Sequence, residues 1–122
     1  MTTRKDTEAF VEVAEKMPTD FYLNAARHYL KAMRKHPRFA DALDKYTDVK
    51  FAKAALEKMR DKLDFMRECD AVSADDLVAC ELLEAWCAPN EQETISELYD
   101  AVAVIMRMIA TVEGKQELGK EN

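Results

Sequence analysis

Helix breakers are almost absent from this chain, and their scarcity limits its architecture more than any other feature. Proline occurs only at Pro18, Pro37 and Pro89, and glycine only at Gly114 and Gly119. Long uninterrupted segments joined by short turns follow from so little punctuation. No run of alternating β-branched residues is bounded by the Gly or Asn-Gly turns that strands require. The sequence therefore predicts an all-α fold, a bundle of four to five helices, in a single domain spanning residues 1–122.

The breakers also set the helix ends. A first helix runs from about Lys5 to Lys16 and stops before Pro18. A second starts after Thr19-Asp20, residue types suited to an N-cap, and runs to about Lys35 ahead of His36-Pro37. Its apolar stripe is Leu23, Ala26, Leu30 and Met33. A short helical turn from Phe39 to Leu43 follows. The third long helix spans about Asp48–Glu68 and buries Ala52, Leu56, Met59, Leu63 and Met66. The fourth opens at Ser73, with Asp76 three residues on as in a capping box, and ends before Pro89. Asn90 caps the fifth, which runs to about Glu113 and is closed by Gly114. So short a connection makes the last two helices an antiparallel hairpin at the C-terminal end of the bundle.

Charge narrows the class of partner. The net charge is −6, which argues against nucleic acid. Its distribution is uneven: residues 1–67 hold 15 basic and 11 acidic side chains, whereas residues 68–122 hold 3 and 13. Two such halves complement one another, or they serve a metal on one side and phosphates on the other. The opening residues carry charges throughout and have no apolar run of signal length. The most apolar piece, Ala101 to Val112, is too short to span a bilayer. Cys69, Cys80 and Cys87 show no C-x-x-C spacing, and Cys80 and Cys87 lie roughly 10 Å apart along a helix, beyond disulfide reach. A cytoplasmic protein with reduced thiols and no membrane association is the expectation.

Five pairs of acids fall at i, i+3, the spacing that places two carboxylates on one helix face. Spacing alone decides nothing in so acidic a chain. Context separates two pairs from the rest. Glu81 and Glu84 are the only charges from Leu77 to Ala88, and Glu97 and Asp100 share Thr94–Val112 with Arg107 alone. Flanking residues such as Leu82, Leu83, Trp86, Leu98, Val102, Ile105 and Ile109 suit an interior helix. Carboxylates held there incur a desolvation cost that protonation or a cation must offset. The hairpin would set one pair opposite the other, and a divalent cation would relieve the repulsion. All-oxygen ligation suits Mg²⁺, Mn²⁺ or Ca²⁺. A di-iron bundle needs Glu-x-x-His pairs, and neither His28 nor His36 has an acid three residues before it.

Glu81-x-x-Glu84, twelve intervening residues and Glu97-x-x-Asp100 resemble the signature of the MazG-like all-α nucleoside triphosphate pyrophosphohydrolases. The resemblance covers about residues 77–114, including the short hairpin spacer and the apolar "AVAVIMRMIA" after Asp100. Cys80 stands where the family has the first Glu of a Glu-Glu pair. The basic residue usual shortly before that pair has no counterpart in "SADDLVA".

The resemblance implies a Mg²⁺-dependent enzyme, with Mn²⁺ as a substitute, that converts an NTP or dNTP into the monophosphate and pyrophosphate. It assigns Glu81, Glu84, Glu97 and Asp100 to the metal and makes Glu81 or Glu84 the carboxylate that takes the proton of an attacking water. It also implies a homodimer or homotetramer. Arg107, roughly 10 Å past Asp100 on the same face, is the local candidate for a substrate phosphate, with a snorkelling arginine as the alternative. Arg27, Lys31 and Arg34 form a basic stripe that is solvated or meets the acidic half. Trp86 and Tyr99 are expected in the core, and both histidines at the surface. The alternative function is a non-catalytic helical-bundle interaction module that keeps the family fold.

Overall fold

The computed structural model describes residues 3–38 and 49–115. Among them there is no strand; the elements are five helices, α1 (Arg4–Lys16), α2 (Phe21–Lys35), α3 (Val49–Glu68), α4 (Ala74–Cys87) and α5 (Glu91–Val112). The helical turn expected from Phe39 to Leu43 lies outside the described residues, as does Asp48.

Local chemistry explains most boundaries. Thr3 and Asp6 exchange side chain-to-backbone hydrogen bonds at the start of α1, a complete capping box. Asn90 accepts from the Glu93 backbone N–H at 2.8 Å and so opens α5 as expected. At the other end of α5, Gly114 takes φ +82°, and the Gly114 and Lys115 amides return to the carbonyls of Thr111 and Ala110. Two caps differ from expectation. Ser73 is the N-cap of α4 but its side chain makes no cap, and the Asp76 carboxylate pairs instead with Lys62 of α3 at 3.2 Å. Asp20 precedes α2 in the left-handed region, φ 48°, and its side chain caps nothing.

The described core is a layer of three helices in which α4 packs against both α3 and α5. Between α3 and α4, buried Leu56, Leu63 and Cys80 gather Met59, Leu77, Leu83 and Cys87 around them. Between α4 and α5 the buried residues are small: Ala85, Ala101 and Ala110, with Thr94. Small side chains let the two backbones approach closely, which sets the facing carboxylates near one another. The α3 stripe is as the periodicity predicts, with Ala52, Leu56 and Leu63 buried and Met59 and Met66 half-buried.

The α2 stripe is not. Leu23, Ala26, Leu30 and Met33 are all exposed, and no residue of α2 is buried. Periodicity gives a helix an apolar face; it does not supply the surface that covers it. The outer face of α5 is likewise open at Val102, Ile105, Ile109 and Val112, so this helix is not the interior one its composition suggests. The link between α1 and α2 does meet the end of α5. The Thr19 backbone N–H donates to Glu113 at 3.0 Å, and Lys115 donates to the Met17 carbonyl beside buried Pro18.

Candidate metal centre

The α4–α5 hairpin brings three of the four candidate acids together. Glu81, Glu97 and Asp100 each offer an oxygen lying within 4.8 Å of the others, close enough for all three to hold a metal ion. Glu81 comes from the middle of α4; Glu97 and Asp100 come from successive turns of α5. Glu81 and Glu97 are half-buried and Asp100 is exposed, so the group opens to water on one side. The Oε2 atom of Glu81 is buried and has no hydrogen-bond partner, an unsatisfied acceptor of the kind that a cation or a proton neutralises.

Electrostatics agree with that geometry. Burial, then the charge of Glu84, then hydrogen bonding with Glu97 push the Glu81 carboxyl up to about 7. Burial also raises Glu97, while its bond to Glu81 pulls the other way and the charges of Glu84 and Asp100 add to the rise. In metal-free protein this cluster therefore holds protons to higher pH than separate carboxylates would.

Glu84 is a close neighbour of the triad but outside it. Its Oε1 accepts from the Cys80 thiol at 3.7 Å and faces Arg60 of α3 at 3.6 Å. Cys80 is buried, and burial together with the Glu84 and Glu81 charges pushes its thiol up to about 11. It stays neutral at ordinary pH, a hydrogen-bond donor to Glu84 and not a thiolate ligand. A glutamate at this position would add another negative charge to the group; the cysteine adds none.

A cleft of about 1180 Å³ opens beside the carboxylates, walled by α3, the end of α4 and the start of α5. Glu84 and Glu97 face it from the hairpin, and Lys53 and Arg60 face it from α3. Arg107 does not line this cleft; it is exposed on α5, roughly 15 Å along the axis from Glu97. The α3 wall is the part that sequence reasoning missed. A signal was present: Arg60 sits one turn after Leu56 and three residues before Leu63, on the border of the buried stripe.

Among the other expectations, His28, His36, Arg27, Lys31 and Arg34 are exposed, as foreseen. Trp86 is half-buried. Tyr99 is 70% exposed, so its expected place in the core is wrong: it lies on the uncovered side of α5. The three cysteines are free. Among the described residues no helix is long and apolar enough to cross a membrane. Comparison with known proteins gives no matching family model, no matching curated protein and no matching solved structure.

Proposed function

We propose that this protein is a Mg²⁺-dependent nucleoside triphosphate pyrophosphohydrolase, converting an NTP or dNTP into the monophosphate and pyrophosphate. The observation that carries this reading is the convergence of Glu81, Glu97 and Asp100 around an unpartnered buried oxygen. Three oxygen ligands with open water on one side suit Mg²⁺, which keeps several waters and binds through few carboxylates; Mn²⁺ fits the same donors. When bound, the cation neutralises charge on phosphate oxygens and on the carboxylates themselves.

The chain's own residues do the rest. Glu81, Glu97 and Asp100 hold the cation. Glu84, which the triad does not need, faces the cleft and accepts the proton of a water there, its orientation set by the Cys80 thiol. Glu81 first gives up the proton that it carries in the metal-free state. The open apolar faces of α2 and α5 support assembly into a homodimer or homotetramer, since exposed side chains such as Leu23, Leu30, Ile105 and Ile109 favour a covering surface.

A panel of nucleoside triphosphates, assayed for pyrophosphate release with and without Mg²⁺, tests the reading. Turnover should need the metal and should vanish in Glu97→Gln; a fully active Glu97→Gln enzyme overturns it. One observation favours a second reading, a non-catalytic helical module: the neutral Cys80 thiol stands where the resembling family carries a glutamate. Metal binding with no turnover on any nucleotide would select it.

A further inference from the structure

The cleft beside the carboxylates poses an electrostatic problem for the substrate just proposed. Six carboxylates line it against two cations, Lys53 and Arg60. A bare polyphosphate entering this space would meet a surplus of negative charge and be repelled. A cation on the hairpin wall changes that balance. The two basic residues are not scattered. They stand seven residues apart on α3, two turns along one face and roughly 10 Å apart along the axis. The hairpin carboxylates lie across the cleft from them.

Arg60 is moreover held by a contact that is easily exchanged. Its guanidinium lies 3.6 Å from Glu84, with the arginine side chain 59% exposed. Such a partly solvated ion pair contributes little, whereas a guanidinium-to-phosphate contact is charge-assisted and frequently bidentate. Leaving Glu84 for a phosphate oxygen would also free the carboxylate to act on water.

We infer that Arg60 and Lys53 on α3 form the seat of a triphosphate chain that enters as its divalent-cation complex, with Arg60 exchanging Glu84 for a phosphate oxygen. The inference rests on the metal reading above and replaces Arg107 by Arg60 and Lys53 as the protein's phosphate-binding cations. The seat works only when the triad is loaded, because without the ion the cleft's own charge excludes the anion.

Calorimetric titration separates the two levels. Mn²⁺ alone, inorganic tripolyphosphate alone, and the two together are titrated into wild type, Arg60→Gln, Arg60→Lys, Lys53→Gln and Arg107→Gln. Wild type should bind Mn²⁺ alone, and should take tripolyphosphate at least about 10-fold more tightly with Mn²⁺ than without it. Arg60→Gln should keep its Mn²⁺ affinity yet lose about 10-fold or more in tripolyphosphate affinity, with Arg60→Lys recovering part of it. Lys53→Gln should show a smaller loss in the same direction. Mn²⁺–ATP should follow the same order, which ties the seat to the triphosphate of a nucleotide. Unchanged affinity for the loaded anion in both Arg60→Gln and Lys53→Gln overturns the inference and leaves the metal site standing. So does a loss found only in Arg107→Gln, or equally tight binding of tripolyphosphate without metal. Wild type that binds no Mn²⁺ overturns the metal reading and this inference with it.

Discussion

At the scale of single residues, the centre is governed by one carboxylate. Glu81 is the only candidate acid with a buried, unpartnered oxygen, and its proton is held to about pH 7 by burial and by Glu84. Linkage fixes the consequence. Between an ordinary glutamate value of 4.5 and about 7 the folded chain binds this proton while the unfolded chain releases it. Over that window metal-free protein loses stability as pH rises, and the loss levels off above it. Denaturation midpoints for wild type minus Glu81→Gln should therefore fall from pH 5 to pH 7 in the presence of chelator. Saturating Mg²⁺ should offset the fall, most strongly above pH 7, where no proton competes for the oxygen. A difference that rises with pH would contradict the assignment. The four acids were legible in the sequence because charges are rare in an apolar helix. Their division into three and one was not, because the contacts of Glu84 with Cys80 and with Arg60 of another helix are set by packing and not by spacing.

At the scale of helices, the hairpin delivers the geometry, and its position depends on two devices. Asn90 fixes the start of α5, and Leu63, only 2% exposed, anchors α3 on α4. Asn90→Ala should cost about 1 kcal/mol in urea unfolding. Leu63→Ala should cost about 3 kcal/mol and loosen the α3 wall of the cleft. Boundaries were readable wherever proline, glycine or a free capping residue marked them, as at Lys16, Lys35, Cys87 and Val112. The boundary at Ser73 was readable too, but the capping box was not formed there, and Asp76 pairs with Lys62 of another helix, a contact that no local pattern contains. Burial on α5 differs from expectation for a related reason: an apolar composition does not fix an interior position. The buried residues of α5 are only Ala101, Ala110 and Thr94; Leu98, Val104 and Met108 are half-buried, and Val102, Ile105, Ile109 and Val112 are exposed.

At the scale of the molecule, the described helices leave apolar surface without a cover. A groove of about 570 Å³ between the start of α4 and the end of α5 is lined by Val78, Ile105, Met108, Ile109 and Val112, with Asp75 and Glu113 also at its walls. Helix α2 carries basic side chains and no acid beside its open stripe. The charge asymmetry of the two halves is thus matched by apolar faces that lack partners, which favours self-association. Light scattering should give a dimer or tetramer for wild type and a smaller species for Ile109→Lys; identical masses for the two would remove this face from the interface.

The proposed centre depends on three carboxylates from two helices sharing one ion. Mn²⁺ binding, followed by the loss of its free-ion electron paramagnetic resonance signal at pH 7.5, tests that most directly. Wild type should show one saturable site per chain that Mg²⁺ displaces, and Glu97→Gln and Asp100→Asn should each lose it. No saturable binding by wild type, or wild-type affinity in both variants, would contradict it.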